Sequence, residues 1–125
     1  MLGLSQARDA AAIAQRDRAL TTIARGQSPS GGWGPYTTVA PQVFDTALVL
    51  VALADLRGGG APLQSVFTAD ALTAALDRGR AYLLAQQIDD GSWPETTRPA
   101  NQESYAQRIS TTGWALLALL ATNAQ

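Results

Sequence analysis

The chain repeats one short pattern of residues at an interval of sixty positions. Both copies read Gln-x-x-x-Gly-x-Trp, once over residues 27–33 and once over residues 87–93. A strongly apolar segment follows each copy, over residues 44–56 and 109–121. A unit that recurs at such a period buries its apolar face against its neighbour, because it is too small to bury that face alone. The repeat therefore predicts a chain made of two similar structural units.

The similarity extends upstream of the pattern at the same offset. The agreeing positions are basic, small and aliphatic in turn: Arg18, Ala19 and Ile23 in the first unit, and Arg78, Gly79 and Leu83 in the second. The second unit also has an aromatic residue, Tyr82, where the first has Thr22. The order in the second unit is thus basic, small, aromatic, aliphatic, Gln, Gly and Trp.

This order resembles the QW repeat of the terpenoid cyclases, the family of squalene-hopene and oxidosqualene cyclases. The second unit matches all seven specified positions, and the first matches six. The resemblance implies an all-α fold of the α/α toroid type, in which helical hairpins form a ring with an inner and an outer layer. This chain would supply four helices, or two hairpins, of an α6/α6-like ring.

Apolar periodicity and helix-breaking residues predict four helices in a single domain, residues 1–125, with units at about 5–60 and 65–125. The helices are expected at about 6–25, 41–57, 69–87 and from 102–105 to 122. Ser5 and Thr68 are the expected N-caps, and Gly58, Gly59, Gly60 and Pro62 end the second helix. The second and fourth helices are apolar nearly all round, so we expect them to be buried on most sides. Composition alone also allows a four-helix bundle.

The residues of the pattern have expected structural roles. In the family, the Gln amide bonds to backbone groups at the end of a neighbouring outer helix and stacks on the Trp indole, which implies these contacts for Gln27 and Gln87. Gly31 and Gly91 are expected at positive φ, where a side chain would oppose the chain reversal. Trp33 and Trp93 would then lock each turn with a large flat surface.

Two charged features have less distinctive expectations. Arg78 is predicted either to reach helix-end carbonyls or an acid on the next helix, or to be solvated. Asp89 and Asp90 lie side by side, but they occupy free positions of the repeat inside a turn, where Asp favours local backbone bonding. We therefore expect them to shape the turn.

Composition excludes several kinds of chemistry. The sequence contains no cysteine and no histidine, and its nine basic residues are all arginine. A thiolate nucleophile, a histidine base and a lysine Schiff base are therefore absent. Protein prenyltransferase β-subunits, which resemble this fold, hold zinc with Asp, Cys and His, so no metal site of that kind and no cofactor are expected.

Charge and hydropathy limit the partners and the location. The net charge of -1 and the lack of a basic cluster argue against nucleic-acid binding. No signal peptide or membrane-spanning segment is evident, so the expected location is cytoplasmic. Arginine without lysine, together with frequent alanine, suggests a GC-rich bacterial genome.

The first apolar segment begins where family enzymes carry their acid. Squalene-hopene cyclases and class II diterpene cyclases have Asp-x-Asp-Asp-Thr-Ala at the start of an inner helix, and the central Asp protonates the substrate. Here Gln42 stands at the first Asp and Phe44 at the central one, and Asp45 alone remains before Thr46. Asp45 is thus a weak catalytic candidate, better explained by the favourable charge of a carboxylate at a helix N-terminus.

Three functions remain open from the sequence. The first is a non-catalytic cyclase-like module, acting as a scaffold or as a binder of an apolar, isoprenoid-like ligand. The second is a terpenoid cyclase, or a subunit of one, with the acid supplied elsewhere, and the third is a self-assembling structural protein. The candidates to line a cavity are Val43, Phe44, Trp114 and Leu117. The expected partner is a second copy, in a trimer that completes the ring, or the remainder of a longer cyclase-like chain.

Overall fold

The described residues form four α-helices. The computed structural model describes residues 2–36, 39–58, 67–95 and 105–123, with side chains from residue 9 in the first helix and from residue 108 in the last. The helices are α1 (Leu2–Gly26), α2 (Val43–Gly58), α3 (Ala69–Gln86) and α4 (Tyr105–Asn123). No strand occurs in these ranges. The all-α fold is confirmed.

The helix ends agree with the sequence at most places. The Thr68 hydroxyl accepts a hydrogen bond from the Ala71 amide at 3.1 Å, which confirms the N-cap of α3. The predicted cap at Ser5 is wrong, because α1 begins at Leu2 and encloses Ser5. The flanking leucines favour the helical state and continue it upstream. Gly58 is the last residue of α2, whereas Gly59, Gly60, Pro62 and residues 102–104 lie outside the described residues.

Helix α2 lies at the centre of the structure, where it packs against α3 and α4. Its C-terminal end lies beside that of α4, since the Arg57 guanidinium donates to the Thr122 carbonyl at 3.4 Å. Arg80 of α3 reaches the same end of α4 and donates to the Leu119 carbonyl at 2.8 Å. Both arginines donate to carbonyls in the last two turns of α4, where their positive charge suits a helix C-terminus.

Helix α1 packs differently from the other three. Residues 9–15 are exposed, and α1 meets the core through Leu20 and Ile23 near its C-terminal end. A four-helix bundle buries a stripe along each of its helices, whereas α1 buries none over residues 9–15. The arrangement is instead that of α/α toroid-type hairpins, with α1 and α3 as outer helices and α2 and α4 as inner ones.

The core joins both tryptophans of the repeat to the inner helices. Trp33 and Trp93 are each 3% exposed, and Leu50, Leu53, Leu72, Leu76 and Leu83 are almost completely buried. The buried side chains form one continuous cluster. The indoles thus anchor each turn inside the core, as the repeat predicts.

One side of α4 departs from the expectation of burial. Thr111, Ala115, Ala118 and Thr122 are buried against the rest of the chain. The opposite side is exposed and apolar, with large side chains at Ile109, Trp114, Leu116, Leu117 and Leu120. An apolar helix is buried all round only where elements flank it on all sides, and no element of the described residues packs on this side. We call these five residues the α4 apolar face.

The repeat tryptophans are expected to hold the fold. Trp93→Ala should lower the free energy of unfolding by about 3–5 kcal/mol, because it removes a buried indole and leaves a cavity. Trp114→Ala is the matched control, since Trp114 is 37% exposed and its loss should cost clearly less. Chemical denaturation of both variants measures the difference, and equal losses would contradict the anchoring role of Trp93.

Candidate functional site

The two repeat patterns form turns of closely similar geometry, turn one at residues 27–33 and turn two at residues 87–93. In turn one the Trp33 indole N–H donates to the carbonyl of Ile23 at 2.7 Å. In turn two the Trp93 indole donates to the carbonyl of Leu83, also at 2.7 Å. Both carbonyls belong to the last turn of an outer helix, where backbone carbonyls commonly lack an intrahelical partner. Each indole hydrogen bond therefore holds the chain after the turn against the outer helix that precedes the turn.

Glycine closes each turn in the way that the sequence predicts. Gly31 has a φ of +99° and Gly91 a φ of +90°, a region that side chains oppose. The Gln27 amide donates to the Gly31 carbonyl at 2.9 Å, and the Gln87 amide donates to the Gly91 carbonyl at 2.8 Å. The same chemistry therefore operates at the same place in both units.

A threonine of each inner helix completes the turns, Thr46 in the first turn of α2 and Thr112 about two turns into α4, and sequence reasoning missed both. The Trp33 amide donates to the Thr46 hydroxyl at 2.8 Å, and the Trp93 amide donates to the Thr112 hydroxyl at 3.0 Å. Thr46 follows Trp33 by thirteen residues, whereas Thr112 follows Trp93 by nineteen. The unequal spacing hides the pair from a search at a fixed period.

Turn one is docked on α3, the outer helix of the second unit. The Gln27 amide donates to the Ala75 carbonyl at 3.0 Å. Arg78 returns two hydrogen bonds, one to the Gln27 side-chain oxygen at 3.3 Å and one to the Ser28 carbonyl at 3.1 Å. Arg78 thus reaches a carbonyl just beyond the end of α1, rather than a carbonyl within a helix end or an acid. The acceptor of Gln27 lies in the middle of α3, not at its end.

Small residues let turn one and α3 approach closely. A Cβ at Gly31 would lie 2.2 Å from the Arg78 carbonyl oxygen, and a Cβ at Gly32 would lie 2.9 Å from the ring of Tyr82. On the helix side, a Cβ at Gly79 would lie 2.6 Å from Leu50 and 3.0 Å from Trp33. The basic, small and aromatic positions of unit two therefore pack against the Gln, Gly and Trp positions of unit one.

Turn two has the same internal hydrogen bonds as turn one, but no further outer helix of the described residues packs against it. Gln87 is exposed, and a Cβ at Gly91 would meet only the Gln87 amide nitrogen, at 4.0 Å. Within the described part of the chain, no helix takes the place beside turn two that α3 takes beside turn one. Thr22, the one departure from the pattern, lies in the half of unit one on which no turn of the described residues docks.

One of the two acidic residues of turn two, Asp90, is used within the turn. Asp90 accepts hydrogen bonds from the Ser92 amide at 2.9 Å and from the Ser92 hydroxyl at 2.6 Å, and these bonds hold the pKa of Asp90 below its ordinary value. Beyond the turn, Glu95 pairs with Arg108 of α4 at 2.7 Å, and that hydrogen bond lowers the pKa of Glu95. No group of residues suited to a metal ion occurs among the described residues.

The weak catalytic candidate Asp45 lies in the first turn of α2 and is half-buried. Its charge acts on Tyr82 of the docking helix: burial chiefly, and the Asp45 charge in addition, raise the pKa of the Tyr82 hydroxyl. A pocket of about 150 Å³ is lined by Tyr82, with Pro41, Gln42 and Gln86 among its other walls. That volume is below the range typical of small-molecule sites.

The four cavity-lining candidates occupy different environments. Val43 is buried in the core, and Phe44 is half-buried at the start of α2. Trp114 and Leu117 belong to the α4 apolar face. The structure therefore brings only the last two together on one exposed surface, and the lining of a cavity stays a prediction for all four.

A comparison with known families bears on this arrangement. The sequence profile of the squalene-hopene cyclase C-terminal domain matches residues 1–125. The chain belongs to this family. No curated protein and no solved structure matches the chain. In the described residues, no helix is both long enough and apolar enough to cross a bilayer.

The two glutamines provide a matched pair of variants. Gln27→Ala removes hydrogen bonds to Gly31, Ala75 and Arg78 and should cost about 1–3 kcal/mol of stability. Gln87→Ala removes the exposed bond to Gly91 and should change stability by less than about 0.5 kcal/mol. Thermal denaturation at low protein concentration compares them, and equal destabilisation would argue against the docking of turn one on α3.

Stability is expected to fall at alkaline pH because of Tyr82. Its pKa is raised in the folded chain above the ordinary value of 10.0. The stabilisation is complete below pH 10 and is lost as the pH rises through the raised folded value, because the unfolded chain ionises first. The chain has no lysine or cysteine that would titrate in this range. Tyr82→Phe should reduce the fall in Tm between about pH 8 and pH 11, whereas Tyr36→Phe, at a site 71% exposed, should not.

Proposed function

We propose that this chain is a non-catalytic module of a cyclase-like toroid, which forms part of its wall. The observation that carries the proposal is the contrast between the docking contacts and the acid position. The contacts of turn one with α3 are complete, from Gln27 to Arg78, while Phe44 stands where the resemblance places the proton donor. The parts that build the wall are thus present, and the part that starts the reaction is replaced.

The remaining acid has a different setting from a proton donor. A carboxylic acid that protonates an alkene must be held neutral by its surroundings and aimed at the substrate. Asp45 lies in the first turn of α2, where the helix dipole favours the charged carboxylate. Its charge also contributes to the raised pKa of Tyr82. Both observations support a structural role for Asp45.

The α4 apolar face supplies the surface that such a wall needs. It carries one aromatic and several aliphatic side chains without a charged residue among them. An apolar, isoprenoid-like ligand would contact such a surface through Trp114 and Leu117. The role of scaffold and the role of apolar binder are therefore compatible in one module.

A second candidate is a subunit of a working terpenoid cyclase, with the acid supplied by another chain or by another part of a longer one. The family assignment favours it, because the matched family is by name the C-terminal domain of a cyclase. Both candidates predict that the isolated chain is inactive. They can be distinguished only by restoring an acid to the chain and measuring activity.

The purified chain is expected to give no cyclic product from squalene or geranylgeranyl diphosphate. Mass spectrometry after incubation should recover only the linear substrate. Phe44→Asp should also remain inactive, because an acid needs hydrogen-bonding neighbours that tune and aim it. Cyclic product from the unaltered chain would overturn the proposal, and product from Phe44→Asp alone would favour the second candidate.

A further inference from the structure

The two flanks of the chain carry copies of the two surfaces that are already docked in its middle. Turn one is held by α3, while turn two and α1, the repeat counterparts of turn one and α3, are each exposed on the side that corresponds to this contact. Arg18 and Ala19 of α1 are exposed, as are Gln87 and Gly91 of turn two. The chain thus presents one free turn and one free outer helix of the kind that receives a turn.

The exposed side of α1 keeps the main features of the docking side of α3. Counted back by sixty residues, Asp77 and Arg78 of α3 correspond to the identical Asp17 and Arg18 of α1. Ala19 stands at the position of Gly79 and adds one methyl group there. In the docked pair, the atom nearest to a Cβ at Gly79 is the end of the Leu50 side chain. Such a flexible end can move aside for a methyl group.

The two free surfaces differ from the docked pair in a compensating way. In the docked pair, Gly32 lies under the ring of Tyr82, and a Cβ would come within 2.9 Å of that ring. Turn two has Ser92 in place of Gly32, and α1 has Thr22 in place of Tyr82. The larger residue on the free turn thus matches the smaller residue on the free helix.

The charges of turn two and α1 are also complementary, as their side-chain sizes are. Turn one has no charged residue, and α3 has two arginines and two aspartates. Turn two has Asp89 and Asp90, whereas α1 has four arginines and two aspartates. The acidic turn is therefore complementary to the more basic of the two outer helices, and opposite charges favour their association.

The α4 apolar face extends the same surface. Leu50 of α2 approaches α3 at Gly79 and is fully buried. Counted from Thr46 and Thr112, its counterpart on α4 is Leu116, which is 52% exposed. A helix docked on turn two would cover Leu116 as α3 covers Leu50. Contiguous exposed apolar surface commonly marks an interaction site.

We propose that turn two of one copy docks on α1 of a second copy of this chain, head to tail. The Gln87 amide would donate to the carbonyl of Gln15, the counterpart of Ala75. Arg18 would donate to the Gln87 side chain and to the carbonyl of Ile88, as Arg78 does to Gln27 and Ser28. Each contact uses a different surface on each copy, so the interface is heterologous, and copies added in this way form a ring if the rotation between them closes.

The first test exchanges the compensating residues. Sedimentation velocity across micromolar concentrations should show association of the unaltered chain. Thr22→Tyr should weaken it about tenfold, because the new ring meets Ser92, and Thr22→Tyr combined with Ser92→Gly should restore it. Thr73→Tyr, at an exposed site on α3, is the control and should have no effect. A double variant as weak as Thr22→Tyr would contradict the pairing.

The second test separates head-to-tail docking from other contacts without any substrate, so its result is independent of the proposed function. Gln87→Arg disables the turn, and Ala19→Arg disables the helix. Each variant alone should be monomeric, and an equimolar mixture should give one-to-one dimers in native mass spectrometry, because one good interface remains. Homodimers of both variants would indicate pairing of α4 apolar faces, and a monomeric unaltered chain would indicate that a longer chain supplies the helix. Either result would overturn the proposal.

Discussion

The structure depends on the hydrogen bond between each repeat tryptophan and a carbonyl in the last turn of the preceding outer helix. A helix end leaves carbonyls without partners, and burying one of them is costly. The indole N–H satisfies such a carbonyl and brings an aromatic surface of large area into the core with it. Trp33 and Trp93 therefore set both the direction of the chain after the helix and the position of the inner helix that follows.

The glutamine and the arginine act on a longer scale than the tryptophan. The indole bond lies within one unit, but Gln27 and Arg78 join the first unit to the second. The two halves of the repeat pattern thus have different tasks. The Gln-to-Trp half forms the turn that docks on the next unit. The basic-to-aromatic half forms the helix surface on which the turn of the previous unit docks. Thr22 is tolerated because, among the described residues, no turn docks on it.

Much of this arrangement could be predicted from the sequence. The turn residues, the positive φ of Gly31 and Gly91, the Thr68 cap and the all-α fold follow from rules about local conformation, which need only nearby residues. The burial of α4 could not be predicted in this way. Its apolar composition indicated burial on most sides, but burial depends on which elements flank a helix, and the described residues offer none for the α4 apolar face. Thr46 and Thr112 were missed because loops of unequal length separate them from their tryptophans.

The division of the repeat pattern into a docking turn and a helix surface that binds the turn has a consequence for how such chains can lengthen. An open arc of n units has n − 1 joints between units, so its two terminal units are each held on one side only. Duplication of a whole sixty-residue unit adds one joint and leaves every existing joint in register, whereas a closed ring has as many joints as units. Length can therefore change by whole units without any change in the joint itself, and closure is the one step that adds a joint without adding a residue.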